Sequence, residues 1–396
     1  MKVLAITHRT PYPPDKGDKI RTHHLLTRLA RHAEVHLVAF AEPPADGAHA
    51  SLLRRSFASV ELVPLRMRFQ QVRALPSLAT LKPLTVPVFH RRALDRAVER
   101  VVREARPDVI FAESTSMAPY ALRRPSLPLV MDYVDVDSAK WRAYAERAPL
   151  PMKLVYLREA YTLERFEREV CRRAAISAVT AEREKTLLDA IAPGRDVRVL
   201  PNGVDTDAFA PRESTPEAPS VVFFGAMDYY ANVDAAVFLV REVLPRLRAR
   251  HPDFKVVIAG SRPTPEVQSL AIERGVTVTG YVQDIQAWVK GAAVCVIPLR
   301  VARGVQNKVL EAMAMGVPVI ATPAAAEGID ATPGRDLLVE DDRDGGGAFA
   351  RAILGLMDDR AKMASLAASA RNLVVERYSW EPRARQLLGM LEEAIR

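Results

Sequence analysis

A chain of 396 residues, 49% hydrophobic and 26% charged, is globular and too long for one ordinary core, so two domains are expected. The net charge of +8 is uneven: residues 1–205 hold 34 Lys and Arg against 24 Asp and Glu, the rest 22 against 24. A basic first half suits an anionic partner or an arginine-rich composition, while two distant cysteines, Cys171 and Cys295, exclude a disulfide framework and a cysteine-rich metal site.

Taken in chain order, the first half alternates apolar runs with helical patterns. Strands are predicted at 2–7, 34–40, 59–65, 107–113, 127–135, 175–180 and 197–202, with a helix over 19–33 carried by Ile20, Leu25, Leu26 and Leu29. The apolar run before His8 is too short for a signal-peptide core, and no window of about 18 apolar residues could span a membrane. A cytoplasmic chain is the expectation. Residues 65–94 interleave arginines with Phe69, Val72, Leu75, Leu78, Leu81 and Phe89, which suits an interfacial patch or a buried connection with a basic side.

Residues 201–220 carry four prolines and no periodicity, and read as an interdomain linker between domains 1–200 and 221–378. The strand pattern then restarts at 221–227, 254–260, 276–282, 293–299, 317–322 and 336–341, with a helix over 234–251. A last helix over 379–396, N-capped by Ser379 and striped by Trp380, Leu387, Leu388 and Leu391, could pack on either domain, the N-terminal one included. The architecture this implies is α/β: two doubly wound domains facing across a cleft, with ligands at the carboxyl ends of the strands.

Chemistry concentrates in "RGVQNKVLEAMAMGVPVIAT", residues 303–322. After the strand 293–299, a loop with Arg303 and Gly304 leads to a helix over 307–315, with Asn307 as N-cap and Gly316 closing it. Lys308 and Glu311 share one face of its first turn. Free amides and two cations would neutralise a diphosphate there, and Glu311 would accept hydrogen bonds from vicinal ribose hydroxyls. The plainer alternative is an exposed ion pair between Lys308 and Glu311.

Three stretches in this order, "VLPNGVD" at 199–205 with Phe209 and Pro211 after it, "VTGYVQDIQAWVKGAAVCVIPL" at 278–299 and "KVLEAMAMGVPVIAT" at 308–322, resemble family 4 glycosyltransferases of the GT-B fold. The opening "THRTPYPPDKGDKIRTHHLL" and "FFGAMDYYANVDAA" resemble the sugar transferases associated with PEP-CTERM/exosortase exopolysaccharide systems. The resemblance implies two Rossmann-like domains and retaining transfer of a sugar from a nucleotide-diphosphate donor such as a UDP- or GDP-sugar, with no required metal or cofactor. It implies a hexosyltransferase acting on a glycan or polyprenyl-linked acceptor, with no role for nucleic acid. The enzyme would sit at the inner face of the plasma membrane, touching anionic lipid through 65–94.

By that resemblance Glu311 matches the second of the family's two spaced glutamates and should hold the donor ribose, while Arg303 occupies the place of the first. The family's usual Arg and Lys after the first strand of the second domain are absent from "GAMDYYAN", which starts at Gly225, so Arg303 and Lys308 are assigned the diphosphate. Gly17 matches the glycine that lets the first domain approach the donor phosphate. Gly280 and Val282 match the loop that contacts the nucleobase, and Gly225, Ser261 and Arg262 are placed at the same rim. Asp135, in the D-x-D of "YVDVDS", is the acceptor-side candidate, whereas His8, His23 and His24 read as surface histidines. Two other readings stay open: a nucleotide-sugar 2-epimerase of the same two-domain fold, and a non-catalytic sugar-binding protein.

Overall fold

A computed structural model describes residues 1–14, 17–41, 49–65, 82–302, 305–341 and 343–396. Arg303 and Gly304 lie outside the described residues, as does 66–81 of the basic segment 65–94. The chain forms two units, Met1–Gly203 with Trp380–Arg396, and Val204–Ser379.

The first unit contains the strands β1 (Lys2–Thr7), β2 (Glu34–Ala41), β3 (Ser59–Pro64), β4 (Val109–Glu113), β5 (Leu129–Val134), β6 (Ile176–Val179) and β7 (Val197–Val199). They form one parallel sheet in the order β3-β2-β1-β4-β5-β6-β7. Helices cover both faces, which is why these strands are continuous apolar runs without alternation. One face packs beneath Leu94, Val98, Tyr120 and Val170. The other packs beneath α1 (Gly17–Leu29), through Leu25, Leu26 and Leu29. A 22-residue helix, α2 (Met152–Arg173), precedes β6.

The second unit holds β8 (Ser220–Phe224), β9 (Lys255–Ala259), β10 (Val276–Val278), β11 (Val294–Ile297), β12 (Val319–Ala321) and β13 (Leu338–Val339) in the parallel order β10-β9-β8-β11-β12-β13. Helix α3 (Tyr230–Phe238) follows β8, and α4 (Asn307–Ala314) lies between β11 and β12. The predicted helix 234–251 begins four residues early and is broken by a π-turn, Leu239–Val243, before Leu244–Arg248. Pro245 explains the break, because it has no N–H to donate one turn back and the helix widens around it.

Helix α5 (Trp380–Ile395) belongs to the first unit, where it packs against α1, β4 and β5 and buries Trp380, Leu387, Met390 and Leu391. Ser379 does not cap it in the expected way: its hydroxyl donates to Val375 O at 2.7 Å. Within the same unit Gly203 of the "PNG" stretch lies flat against Trp380, and a Cβ there would meet the indole at 2.7 Å and the Trp380 backbone at 2.9 Å. Asn202 beside it accepts from Arg21 at 2.9 Å.

The sheet orders reverse between β1 and β4 and between β8 and β11, the switch points where doubly wound sheets open a crevice at their carboxyl ends. Register aligns those ends closely: Thr7 stands opposite Glu113, and Glu113 opposite Asp132.

Candidate functional site

In the second unit the site forms where β8 and β11 diverge. β8 ends at Phe224, and Gly225 follows at φ +151°. Gly260, at the end of β9, is required by its neighbour, since a Cβ there would fall 1.7 Å from Gly225 O. Lys308 extends from the first turn of α4 toward this turn. Its ammonium donates to Asn232 Oδ1 at 2.6 Å and lies 5.1 Å from the centre of the Phe223 ring. Asn232 is itself oriented by donating Nδ2 to Ala226 O at 2.8 Å. A Cβ on residue 225 would sit 3.2 Å from Lys308 Nζ, so glycine leaves the ammonium its room.

The plain ion pair between Lys308 and Glu311 is therefore replaced by a Lys308–Asn232 hydrogen bond, with Glu311 half-buried on the same helix face. Burial lowers the Lys308 pKa to about 8 against the pull of Cys295 and Glu311. Burial raises Glu311 to about 7 against the pull of Lys308. Both groups are thus poised near neutrality, the condition in which an arriving charge decides their state.

Asn307 is not the N-cap. It is the exposed first residue of α4, Gln306 is the N-cap, and no side chain caps the helix. Val309 N donates to Gln306 O at 3.0 Å, and the amides of Asn307 and Lys308 stand at the open end of the helix, where a ligand or water can take them. The other end is closed tightly: Gly316 at φ +64° lets Gly316 N reach Met313 O at 3.0 Å and Val317 N reach Ala312 O at 3.1 Å.

Gly280, Val282, Ser261 and Arg262 occupy the same carboxyl edge of this sheet. Thr279 joins two of the loops, accepting from Gly260 N at 3.2 Å and donating to Gly280 O at 2.8 Å. Gly280 adopts φ +66°, and a Cβ on it would meet open space. Val282 is half-buried next to Tyr281, which is 80% exposed. Ser261 O accepts from Met227 N at 2.8 Å, and Arg262, at φ +54°, pairs with Asp228 at 2.7 Å. Sequence reasoning missed Asn232 and the pair formed by Arg300 and Asp234, which ties the loop after β11 to α3. An asparagine and an aspartate inside a helix carry no mark of their partners in the chain.

The first unit corrects the reading of His8. It is not a surface histidine: Nδ1 lies 2.7 Å from Glu113 Oε2, and Nε2 lies 3.1 Å from Asp18 Oδ2. Burial alone would lower its pKa, but the charges and hydrogen bonds of Glu113 and Asp18 outweigh that and raise it to about 10. The ring is an imidazolium at neutral pH. Burial would raise the Asp18 carboxyl, yet His8 and Arg9 hold it well below the usual range. The physical reason is register, which sets His8 beside Glu113 where β1 meets β4. His24 is also buried, stacked on Trp380 at 5.3 Å.

Around this cluster Asp132 is fully buried and accepts from Arg21 Nε at 2.9 Å. Strain collects here too, since Ser114, just after β4, and Val134, the last residue of β5, have φ of +74° and +66°. A β-branched residue in that conformation is rare and is held by its surroundings. Asp135 is exposed, with Thr180 Oγ1 donating to it at 3.4 Å. Asp137, two residues on, is half-buried, and burial raises its pKa. Gly17 opens α1, and a Cβ on it would meet nothing within 4 Å, so packing within the protein does not demand glycine there. Among the described residues no group of three His, Cys, Asp or Glu could hold a metal ion.

Residues 218–359 match the family model described as glycosyl transferases group 1. This segment is similar to the glycosyltransferase group 1 domains. It covers β8 to the helix after β13, and so contains Lys308, Glu311, Gly225 and Gly280. The chain is similar to a phosphatidyl-myo-inositol mannosyltransferase of Mycolicibacterium smegmatis, 30% identical over 214 residues, 50% of this chain and 52% of that protein. It is also similar to the lipopolysaccharide core biosynthesis mannosyltransferase LpsB of Rhizobium meliloti, 26% identical over 219 residues, 50% of this chain and 61% of that protein. The match thus spans between half and two thirds of these curated relatives.

Among solved structures, sucrose-phosphate synthase from Thermosynechococcus elongatus superposes with a TM-score of 0.63 at 18% identity, covering 99% of both chains. Anabaena HepE in complex with UDP superposes with a TM-score of 0.62 at 18% identity, covering 99% of this chain and 100% of that one. The fold is that of the GT-B glycosyltransferases, two Rossmann-like parallel-sheet units, and the family model and relatives together support a transferase.

Proposed function

We propose that the protein is a retaining glycosyltransferase that moves a hexose from a nucleoside diphosphate donor to a lipid-linked or exopolysaccharide glycan. The observation that carries this reading is the half-buried Lys308 ammonium, held by Asn232 under the Gly225 turn on a helix whose first amides no side chain caps. That arrangement suits the two phosphates of a donor, with Arg303 as a second cation and Glu311 on the ribose. The loops at Gly280 and Val282 and at Ser261 and Arg262 would take the base, with Asn307 and Gly304 at the phosphate end.

In the reaction the bond from the anomeric carbon to the diphosphate oxygen breaks and a bond to an acceptor oxygen forms. The acceptor hydroxyl proton leaves with the departing diphosphate or to solvent. Lys308 and the helix amides stabilise the charge that develops on the leaving group, the main catalytic effect available to this site. Asp135 is proposed on the acceptor side. Relatives named as mannosyltransferases make a GDP-mannose donor the first to test, and the UDP complex of HepE makes UDP-sugars the second. The resemblance of the opening motif supports an acceptor in exopolysaccharide synthesis of the PEP-CTERM/exosortase kind, at the inner membrane face.

The test is a thermal-shift screen against GDP, UDP and their sugars, followed by transfer assays. A ligand at 100 times its Kd should stabilise the protein by about 2.7 kcal/mol. Lys308→Ala and Glu311→Ala should lose that shift and the transfer activity. If both variants keep wild-type donor affinity and transfer, the donor site lies elsewhere.

A further inference from the structure

Helix α2 carries a feature that sugar transfer does not use. Leu154, Leu157, Tyr161, Arg165, Arg168 and Arg172 recur at three- and four-residue spacing and so form one stripe, about 27 Å long at 1.5 Å per residue. The first half of the stripe is apolar and open to solvent, with Leu154 62%, Leu157 41% and Tyr161 55% exposed. Leu150 and Met152, at 71% and 42%, extend it at the start of the helix. The second half is cationic: Arg165 lies 5.8 Å over the Tyr161 ring, and the three arginines join Lys82 in lining a cavity of about 680 Å³. Among the described residues of the lining, Glu169 is the one carboxylate beside those four cations. Arg168 is tied to Glu164 at 3.1 Å, whereas no carboxylate pairs with Arg165 or Arg172 among the described residues.

We propose that this stripe docks the protein on a bilayer of anionic lipid, the leucines entering the headgroup boundary and the arginines binding lipid phosphates. Exposed large apolar side chains on an ordered helix call for a partner, and the charge beside them specifies it. A second copy of the chain would bring the same arginines toward one another, whereas an anionic surface complements them. Tyr161, at the junction, suits the level where apolar and wet layers meet. No helix among the described residues is long and apolar enough to cross a membrane, so the contact proposed is peripheral. The inference deepens the proposed function, resting on it only in that a lipid-borne acceptor would bring the protein to a bilayer.

Flotation of the full chain with vesicles of phosphatidylcholine, alone or mixed with phosphatidylglycerol, tests it. The wild type should float with the mixed vesicles only, and less at high salt. Arg165→Glu and Arg172→Glu should each weaken binding by about five-fold or more. Leu154→Ser with Leu157→Ser should abolish it, while all variants keep the thermal shift given by the donor nucleotide. Failure of the wild type to float, or equal flotation of the variants, overturns the proposal. So does a vesicle-free dimer that the leucine variant converts to monomer, which would assign the stripe to a second copy. A wild type that floats but shows no nucleotide shift refutes the donor site and leaves the docking surface standing.

Discussion

Lys308 and Glu311 are linked through burial, which pushes the ammonium down to about 8 and the carboxyl up to about 7. In the proposed donor complex a diphosphate would stabilise the ammonium, so binding would take up a proton as the pH passes 8 and affinity would fall beyond it. An ionised Glu311 would accept from ribose hydroxyls more strongly than the neutral acid, so affinity would also fall below pH 7. Nucleotide affinity should therefore peak between these values, and calorimetric titration across pH measures it; Lys308→Arg should lose the alkaline limb. Lys308→Ala should reduce kcat by roughly 10²- to 10³-fold. His8 is a cation shifted in the opposite direction to Lys308. Its pKa is raised from 6.5 to about 10, so its contribution to stability is complete below 6.5 and is lost as the pH rises through 10. His8→Ala removes the imidazolium from the buried Glu113 and leaves Asp18 with Arg9 alone, and should cost about 3 kcal/mol at pH 7. Urea unfolding at pH 7 and pH 10 checks it, and the variant should show a smaller difference between the two. Lys308 and Glu311 could be singled out in the chain because helix spacing is local. His8 could not, because its partners lie 10 and 105 residues away.

Glycines at element ends make the next predictions. Gly203→Ala would press a methyl group into Trp380 and should destabilise the first unit by about 2 kcal/mol, read as a lower Tm. Gly316→Ala forces a side chain into the left-handed closure of α4 and should cost about 1 kcal/mol. Both glycines stand in stretches that the sequence marked, "PNGVD" and "AMAMGVPVIAT". Their reasons differ: Gly316 serves its own helix, whereas Gly203 serves a tryptophan 177 positions later in the chain. Predicted strands 276–282 and 197–202 shorten to three residues each, since apolar character continues past the last ladder hydrogen bond. The helix start near 307 was legible from the switch of periodicity, but its cap was displaced to Gln306, a detail of backbone angle that residue type does not dictate.

At the scale of the whole molecule, the assignment of α5 to the first unit has a consequence. Truncation after Ser379 would expose the face that Trp380, Leu387, Met390 and Leu391 cover, and the first unit should then lose cooperative unfolding, as circular dichroism and limited proteolysis would show. Residues 204–379, a continuous stretch with its own core, should fold when expressed alone. By itself the sequence determined the α/β class and the succession of strands, because a parallel sheet buried on both faces writes unbroken apolar runs into the chain. It also determined the helix face shared by Lys308 and Glu311, because a 3.6-residue period is a local property. Only the tertiary structure decided that His8 meets Glu113 and Asp18, that Asn232 holds Lys308, and that the last helix completes the first sheet. Those contacts join residues far apart in the chain, and strand order and register, which no local pattern encodes, bring them together.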